Sequence, residues 1–220
     1  MLARDLITDD IPPLKTSDTG IKALNWMDEF KVPHLPIVNQ ADFLGLVSEA
    51  DILDMNAPEE PLGNHKLSLI RPYVTDNVHF YEVIKVISEL KISLIPVLDD
   101  KNRYLGSITI EHLIQKLSAM ASIKEPGGIV VLELNQNDYS LAAIAQIIEG
   151  DDTKILSSYI TSQPNSTKIE LTLKLNRTDI TRILAAFDRY DYTIKASFHE
   201  NEFNDSLRDR YDQLMNYLNI

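Results

Sequence analysis

The chain has 220 residues, 21 of them Lys or Arg and 33 Asp or Glu, giving a formal charge of −12, with 44% hydrophobic residues and no cysteine. That length holds one large or two small domains with ordinary cores, and the acidic balance argues against a dominant nucleic-acid or anionic-membrane surface, because such binding is carried by clustered cations. The absence of cysteine excludes thiol nucleophiles, thiolate zinc sites and disulfides; with no apolar run near the ~20 residues of a membrane span, and Asp5 where a secretory signal would turn apolar, a soluble cytoplasmic protein is expected.

In chain order, the first signal is an internal repeat. At an offset of 60, Pro12-Pro13-Leu14 lies over Pro72-Tyr73-Val74, Glu29-Phe30 over Glu89-Leu90, and Leu35-Pro36-Ile37-Val38 over Ile95-Pro96-Val97-Leu98. One extra residue in the second copy then brings Phe43-Leu44-Gly45-Leu46-Val47-Ser48 over Tyr104-Leu105-Gly106-Ser107-Ile108-Thr109. Each copy predicts a helix with one buried stripe (Ile21, Leu24, Met27; Val83, Ile84, Ile87, Leu90), then a strand led in by Pro36 or Pro96. A polar turn, a second strand carrying the Gly and a second helix (50–55; 111–117) complete the unit. Such units are too small to bury their own faces, so the two copies are expected to pack together about a pseudo-twofold axis. The Pro- and Gly-containing stretch 56–64 reads as the linker between them.

Glu125-Pro126-Gly127-Gly128 marks a composition break. Beyond it the pattern predicts a strand over 129–134, a helix carrying Leu141, Ile144, Ala145 and Ile148, and strands over 155–161 and 168–175. The helix is expected to start from Asn137 or Asp138 as N-cap and stop at Gly150. A second helix follows on Ile180, Ile183, Leu184 and Phe187, and a last strand on Tyr192, Ile194, Ala196 and Phe198. The order β-α-β-β-α-β describes a ferredoxin-like sheet with two helices on one face. Phe203, Leu207, Tyr211, Leu214 and Leu218 give a terminal helix an apolar seam that needs a partner surface.

The doubled pattern, apolar-Pro-Ile/Val-Val/Leu, polar turn, Leu-Gly-x-x-Ser/Thr, then helix, resembles a tandem pair of cystathionine-β-synthase (CBS) domains, the Bateman module. The segment after it resembles an ACT domain, and the combination is similar to the acetoin-utilisation AcuB-type CBS–ACT proteins. The resemblance implies an α/β (α+β) chain with CBS repeats at 1–55 and 68–120, an ACT-like ferredoxin-like domain at 127–200 and a C-terminal helix at 202–220. It also implies that the family motif Gly-x-x-Thr/Ser-x-x-Asp closes a cleft in which the hydroxyl meets the phosphate of an adenine nucleotide and the Asp takes the ribose hydroxyls. The chemistry suits those types, since one carboxylate accepts from two vicinal hydroxyls and a hydroxyl at a helix start joins backbone donors that favour anions.

The first copy matches this motif fully with Gly45, Ser48 and Asp51, and the apolar wall beside it is expected from Ile11, Leu35, Pro36 and Val47. The second copy has Gly106 and Thr109, with Pro96 in its strand, but His112 replaces the Asp, so this site is expected to be the weaker. Ser48 and Asp51 also suit a plain helix cap, and the apolar wall also suits plain core. No catalytic constellation emerges: the five His are scattered, without metal-ligand spacing, and the seven Gly form no phosphate loop. The ACT-like loop 135–140 lacks the Gly found beside amino-acid ligands in many ACT domains, which favours dimerisation over amino-acid binding there. The expectation is therefore a homodimeric regulatory protein without enzyme activity, resident cofactor or metal. Its regulatory ligand would be an adenine nucleotide and its partner a still unidentified regulated enzyme. The alternative is an assembly module with a vacant cleft.

Overall fold

Two copies of one pattern fold into two copies of one unit, each helix capped at equivalent positions. In the computed structural model, which describes residues 1–67, 69–162, 164, 166–199 and 217, the first copy comprises α1 (Gly20–Phe30), β1 (His34–Asn39), β2 (Asp42–Ser48) and α2 (Glu49–Leu53). The second comprises β3 (Val74–Thr75), α3 (Phe80–Leu90), β4 (Leu94–Leu98), β5 (Tyr104–Thr109) and α4 (Ile110–Met120). Thr19 caps α1 by accepting the Lys22 N–H, and His79, sixty positions on, caps α3 by accepting the Tyr81 N–H. Both helices end on a lysine in the left-handed region, Lys31 and Lys91, each at φ 55°. In both copies the antiparallel hairpin shifts register one step before its turn, between Ile37 and Val38 and between Val97 and Leu98.

The repeat extends to the strand pairings. Leu14 bridges Ile37 in parallel and Val74 pairs with Val97 in parallel. The core lies between these strands and the helices, with Leu14, Leu35, Val47, Val83, Ile95, Val97 and Ile108 all at 0% exposure. Each such aliphatic side chain contributes about 1.5–3 kcal/mol of transfer free energy. The helix stripes are narrower than the periodicity predicts: Ala23, Met27, Val83 and Ile87 are buried, whereas Ile21 and Leu90 are about half exposed. Pro36 and Pro96 sit inside β1 and β4, opposite Leu46 and Ser107, rather than leading into them.

Each copy is completed by the segment that precedes the other. The N-terminal stretch crosses to the second copy, where the Thr8 N–H donates to the Ser107 carbonyl at 3.0 Å and the Ala3 N–H to the Val78 carbonyl at 2.9 Å. The stretch before β3 crosses to the first copy, where the Leu46 N–H donates to the Ile70 carbonyl at 2.8 Å. The crossings pass over the two repeat glycines. A Cβ on Gly45 would lie 2.7 Å from Leu69 Cβ and 2.8 Å from the Ile70 carbonyl oxygen, and one on Gly106 would run into Ile7 Cγ2. Close approach of the crossing segment, its backbone at Gly45 and the Ile7 side chain at Gly106, therefore demands the Gly.

The chain divides into two compact units, Met1–Lys116 and Leu117–Ile220. In the second, β6 (Ile129–Asn135), α5 (Leu141–Glu149), β7 (Ile155–Ser162), β8 (Lys168–Leu175), α6 (Thr181–Arg189) and β9 (Thr193–Phe198) follow one another. The sheet order is β7-β8-β6-β9, antiparallel throughout, the ferredoxin-like arrangement. Strict alternation in β8 buries Ile169, Leu171, Leu173 and Leu175 against a core that includes Ile144, Ile148, Ile183 and Phe187. The opposite face carries the cross-strand ion pairs Lys168–Glu133 and Lys195–Glu170. The cap of α5 is Ser140, whose hydroxyl accepts the Ala143 N–H at 3.3 Å. Asn137 and Asp138, expected in that role, instead belong to a short 3₁₀ turn that precedes it. The seam from Phe203 to Leu218 lies outside the described residues.

Gly45→Ala is expected to destabilise the protein by about 1–3 kcal/mol, the range for forcing a methyl group into filled space, because its nearest obstacles include backbone. Urea denaturation followed by circular dichroism measures this, with Gly63→Ala, whose Cβ would meet Thr16 no closer than 3.2 Å, as the milder control.

Candidate functional site

Both motif hydroxyls cap the helix that follows them. Ser48 Oγ accepts the Asp51 N–H at 3.1 Å, and Thr109 Oγ1 accepts the His112 N–H at 3.1 Å. The two copies then differ. In the first, the Asp51 carboxylate turns back: its Oδ2 accepts from the Ser48 N–H at 2.8 Å and from the Ser48 hydroxyl at 2.6 Å, closing a reciprocal capping box. In the second, His112 offers no carboxylate, and among the described residues the Thr109 hydroxyl proton has no acceptor.

A cavity of about 400 Å³ opens beside Thr109, within the ~300–1,000 Å³ span of small-molecule sites. The second copy supplies Ser93, Thr109, Ile110, Glu111, His112 and Gln115. The first supplies the turn Phe30-Lys31-Val32, and the crossing N-terminal segment supplies Asp10 and Ile11. The structure thus brings Ile11, expected beside the Ser48 half, into one lining with Thr109 and His112. Leu35 and Val47 are cross-strand partners at 0% exposure, and Pro36 and Pro96 are buried in their strands. These four are core beneath the motif.

Ser93 and the 30–32 turn carry no site signal in the sequence, and Asp10 reads there only as a turn acid. Their signal is the crossing of the leading segments, which no spacing within one copy reveals. The copies also meet at His34, whose Nδ1 lies 3.1 Å from Ser93 Oγ. Burial holds the His34 imidazole below its ordinary value, while the Asp51 carboxylate pulls it up. In the second unit a cavity of about 510 Å³ adjoins the β6–α5 loop, with Asn135, Asp138 and Gln146 facing Tyr190, Asp191 and Tyr192. Among the described residues no group of three or more His, Asp or Glu is placed to hold a metal ion, and no helix is long and apolar enough to cross a membrane.

Comparison with known proteins places the duplicated half in one family: residues 3–57 and 70–119 match the CBS-domain model. The chain is 20% identical over 152 residues to the inosine-5'-monophosphate dehydrogenase of Methanocaldococcus jannaschii, a match covering 68% of this chain and 30% of that enzyme. The chain therefore spans under a third of that relative's length. Among solved structures it is similar to a CBS domain pair/ACT domain protein from Thermotoga maritima, with a TM-score of 0.48 and 22% identity over 54% of this chain and 98% of that one. It is also similar to the AMP complex of CBSX2, with a TM-score of 0.47 and 21% identity over 56% and 98%.

The His34 contact generates a pH dependence. A base whose value is lowered on folding is neutral in the folded chain where it is already protonated in the unfolded one, so its contribution is present above the ordinary value of 6.5 and is lost as pH falls below it. Thermal unfolding between pH 7.5 and 5.5 should show stability declining toward acid, with a smaller decline in His34→Gln.

Proposed function

We propose, from the tandem CBS domains at residues 3–57 and 70–119, that the protein is a regulatory sensor that binds an adenine nucleotide in the cleft between its two repeats. The observation that carries the reading is the cavity of about 400 Å³ at which a helix-capping hydroxyl, Thr109, faces a wall contributed by the other copy and by the crossing N-terminal segment. A hydroxyl at a helix start whose proton is uncommitted favours a phosphate or other oxygen-rich group, and Phe30 and Ile11 line the same cavity with apolar surface.

Ser48 and Asp51 mark a second candidate half-site, in which the carboxylate must exchange its bond from the Ser48 hydroxyl for bonds from a ribose. That exchange makes the Thr109 cleft the better supported of the two. The ferredoxin-like unit reads as an ACT-like domain that dimerises or relays occupancy to a regulated enzyme, with domain limits at 127–200. A homodimer is expected because exposed apolar side chains on α2 and α4, Leu53, Ile114 and Met120, are satisfied by an isologous contact. The cysteine-free composition suits a reducing, cytoplasmic setting.

The test is a thermal-shift screen of the full chain with AMP, ADP, ATP, NAD and S-adenosylmethionine. A ligand of the folded state stabilises by RT ln(1 + [L]/Kd), about 2.7 kcal/mol at a hundredfold excess over Kd, so at least one compound is expected to raise the midpoint by several degrees. No response at millimolar concentration replaces the sensor reading with that of an assembly module whose cleft is vacant. Light scattering at micromolar concentration is expected to give twice the 25.0 kDa chain mass, and a monomer overturns the dimer.

A further inference from the structure

Position 112 in the second copy holds an imidazole where the first copy holds the Asp51 carboxylate, yet the cavity beside it is not without acids. Asp10 lines it together with Thr109 and His112, and Asp10 belongs to neither repeat motif: it arrives on the crossing N-terminal segment. Resting on the nucleotide reading above, we infer that Asp10 is the ribose-recognising carboxylate of the Thr109 cleft, supplied across the repeat boundary in place of the missing motif Asp.

Three observations carry this. First, Asp10 is tethered: the Thr8 hydroxyl donates to its Oδ2, the Asp10 N–H donates back to Thr8 Oγ1 at 3.2 Å, and the Thr8 N–H is fixed to the Ser107 carbonyl of β5 at 3.0 Å. The strand that ends in Thr109 thus anchors the loop that carries Asp10. Secondly, the carboxylate itself takes only the Thr8 hydroxyl, on Oδ2, so among the described residues Oδ1 is open, and a carboxylate with an open oxygen accepts from a vicinal diol as neither imidazole tautomer does. Thirdly, the other acid of the cavity, Glu111, lies one position before the motif site, stands over Ala50 of the first copy, and accepts from Gln115 Nε2 along its own helix face. The acceptor missing from α4 is thereby restored from the opposite wall, and the chain binds a nucleoside through its 2′ and 3′ hydroxyls in a cleft whose motif has lost the residue for it.

The experiment is isothermal calorimetry of the full chain with adenosine and with 2′,3′-dideoxyadenosine, probes without phosphate that isolate the diol. The wild type is expected to prefer adenosine by about 10- to 100-fold, the value of charge-assisted bonds to one carboxylate. In Asp10→Asn the preference should collapse to within about threefold, while Glu111→Gln, His112→Ala and Asp51→Ala retain it. The carboxamide keeps an acceptor for Thr8, and an unchanged melting temperature separates loss of recognition from loss of fold. A full preference in Asp10→Asn overturns the assignment alone, and its loss in Glu111→Gln or Asp51→Ala moves the diol to that residue. No binding of adenosine or AMP by the wild type overturns the nucleotide reading, and the assignment with it.

Discussion

The crossing of the two leading segments is the constraint on which the first unit rests. Neither hairpin is finished by its own copy: the outer edge of β2 lacks a partner until Ile70 reaches Leu46, and that of β5 lacks one until Thr8 reaches Ser107. An unpaired strand edge costs backbone hydrogen bonds and invites pairing with other chains, so the exchange binds the two copies into one cooperative object. It also fixes the glycines, because a backbone lying 2.8 Å from where the Gly45 Cβ would stand leaves room only for hydrogen. The same crossing carries Ile11 and Asp10 into the wall of the cavity. Fold, motif and cleft composition thus follow from one topological fact.

Much of this was legible in the sequence, for a physical reason. The offset of 60 aligned positions that share a backbone requirement: Thr19 and His79 as caps, Lys31 and Lys91 as left-handed ends, Leu14 and Val74 as parallel pairing points. The alternation in β8 fixed which side chains face the core because a strand has a period of two. Local periodicity carries no information about which copy a leading segment visits, however. The sequence therefore places Ile11 beside its own copy's motif and reads Asp10 as an ordinary turn acid, with no signal at Ser93. Ser140, two residues after Asp138, competed for the same cap, and the chain spends the difference on a 3₁₀ turn.

The second unit is built on the contrary principle. Its strands find all their partners within 129–198, and the central pair β6 and β8 is registered over seven positions from Ile129↔Lys174 to Asn135↔Lys168. One face is apolar and closed by α5 and α6, and Phe187 meets Tyr192 edge-on with centroids 5.5 Å apart. The other is laced by lysine–glutamate pairs whose lysines are exposed and whose glutamates are half-buried, worth little individually but keeping that face wet. This unit's closure depends on alternation rather than on exchange, which is why periodicity alone described it.

The two capping hydroxyls have a consequence for symmetry. An internal duplication begins with two interchangeable half-sites, and a small molecule meeting them has no preferred way round. Here Ser48 spends its proton on Asp51, whereas Thr109, lacking that acceptor, keeps its own. One half has become a closed, self-satisfied corner and the other an open donor, so the repeat relates backbones without relating chemistry. Under the proposed function, a nucleotide meets different partners in the two halves, so its two orientations in the cleft are not equivalent. The duplicated fold thereby acquires a direction.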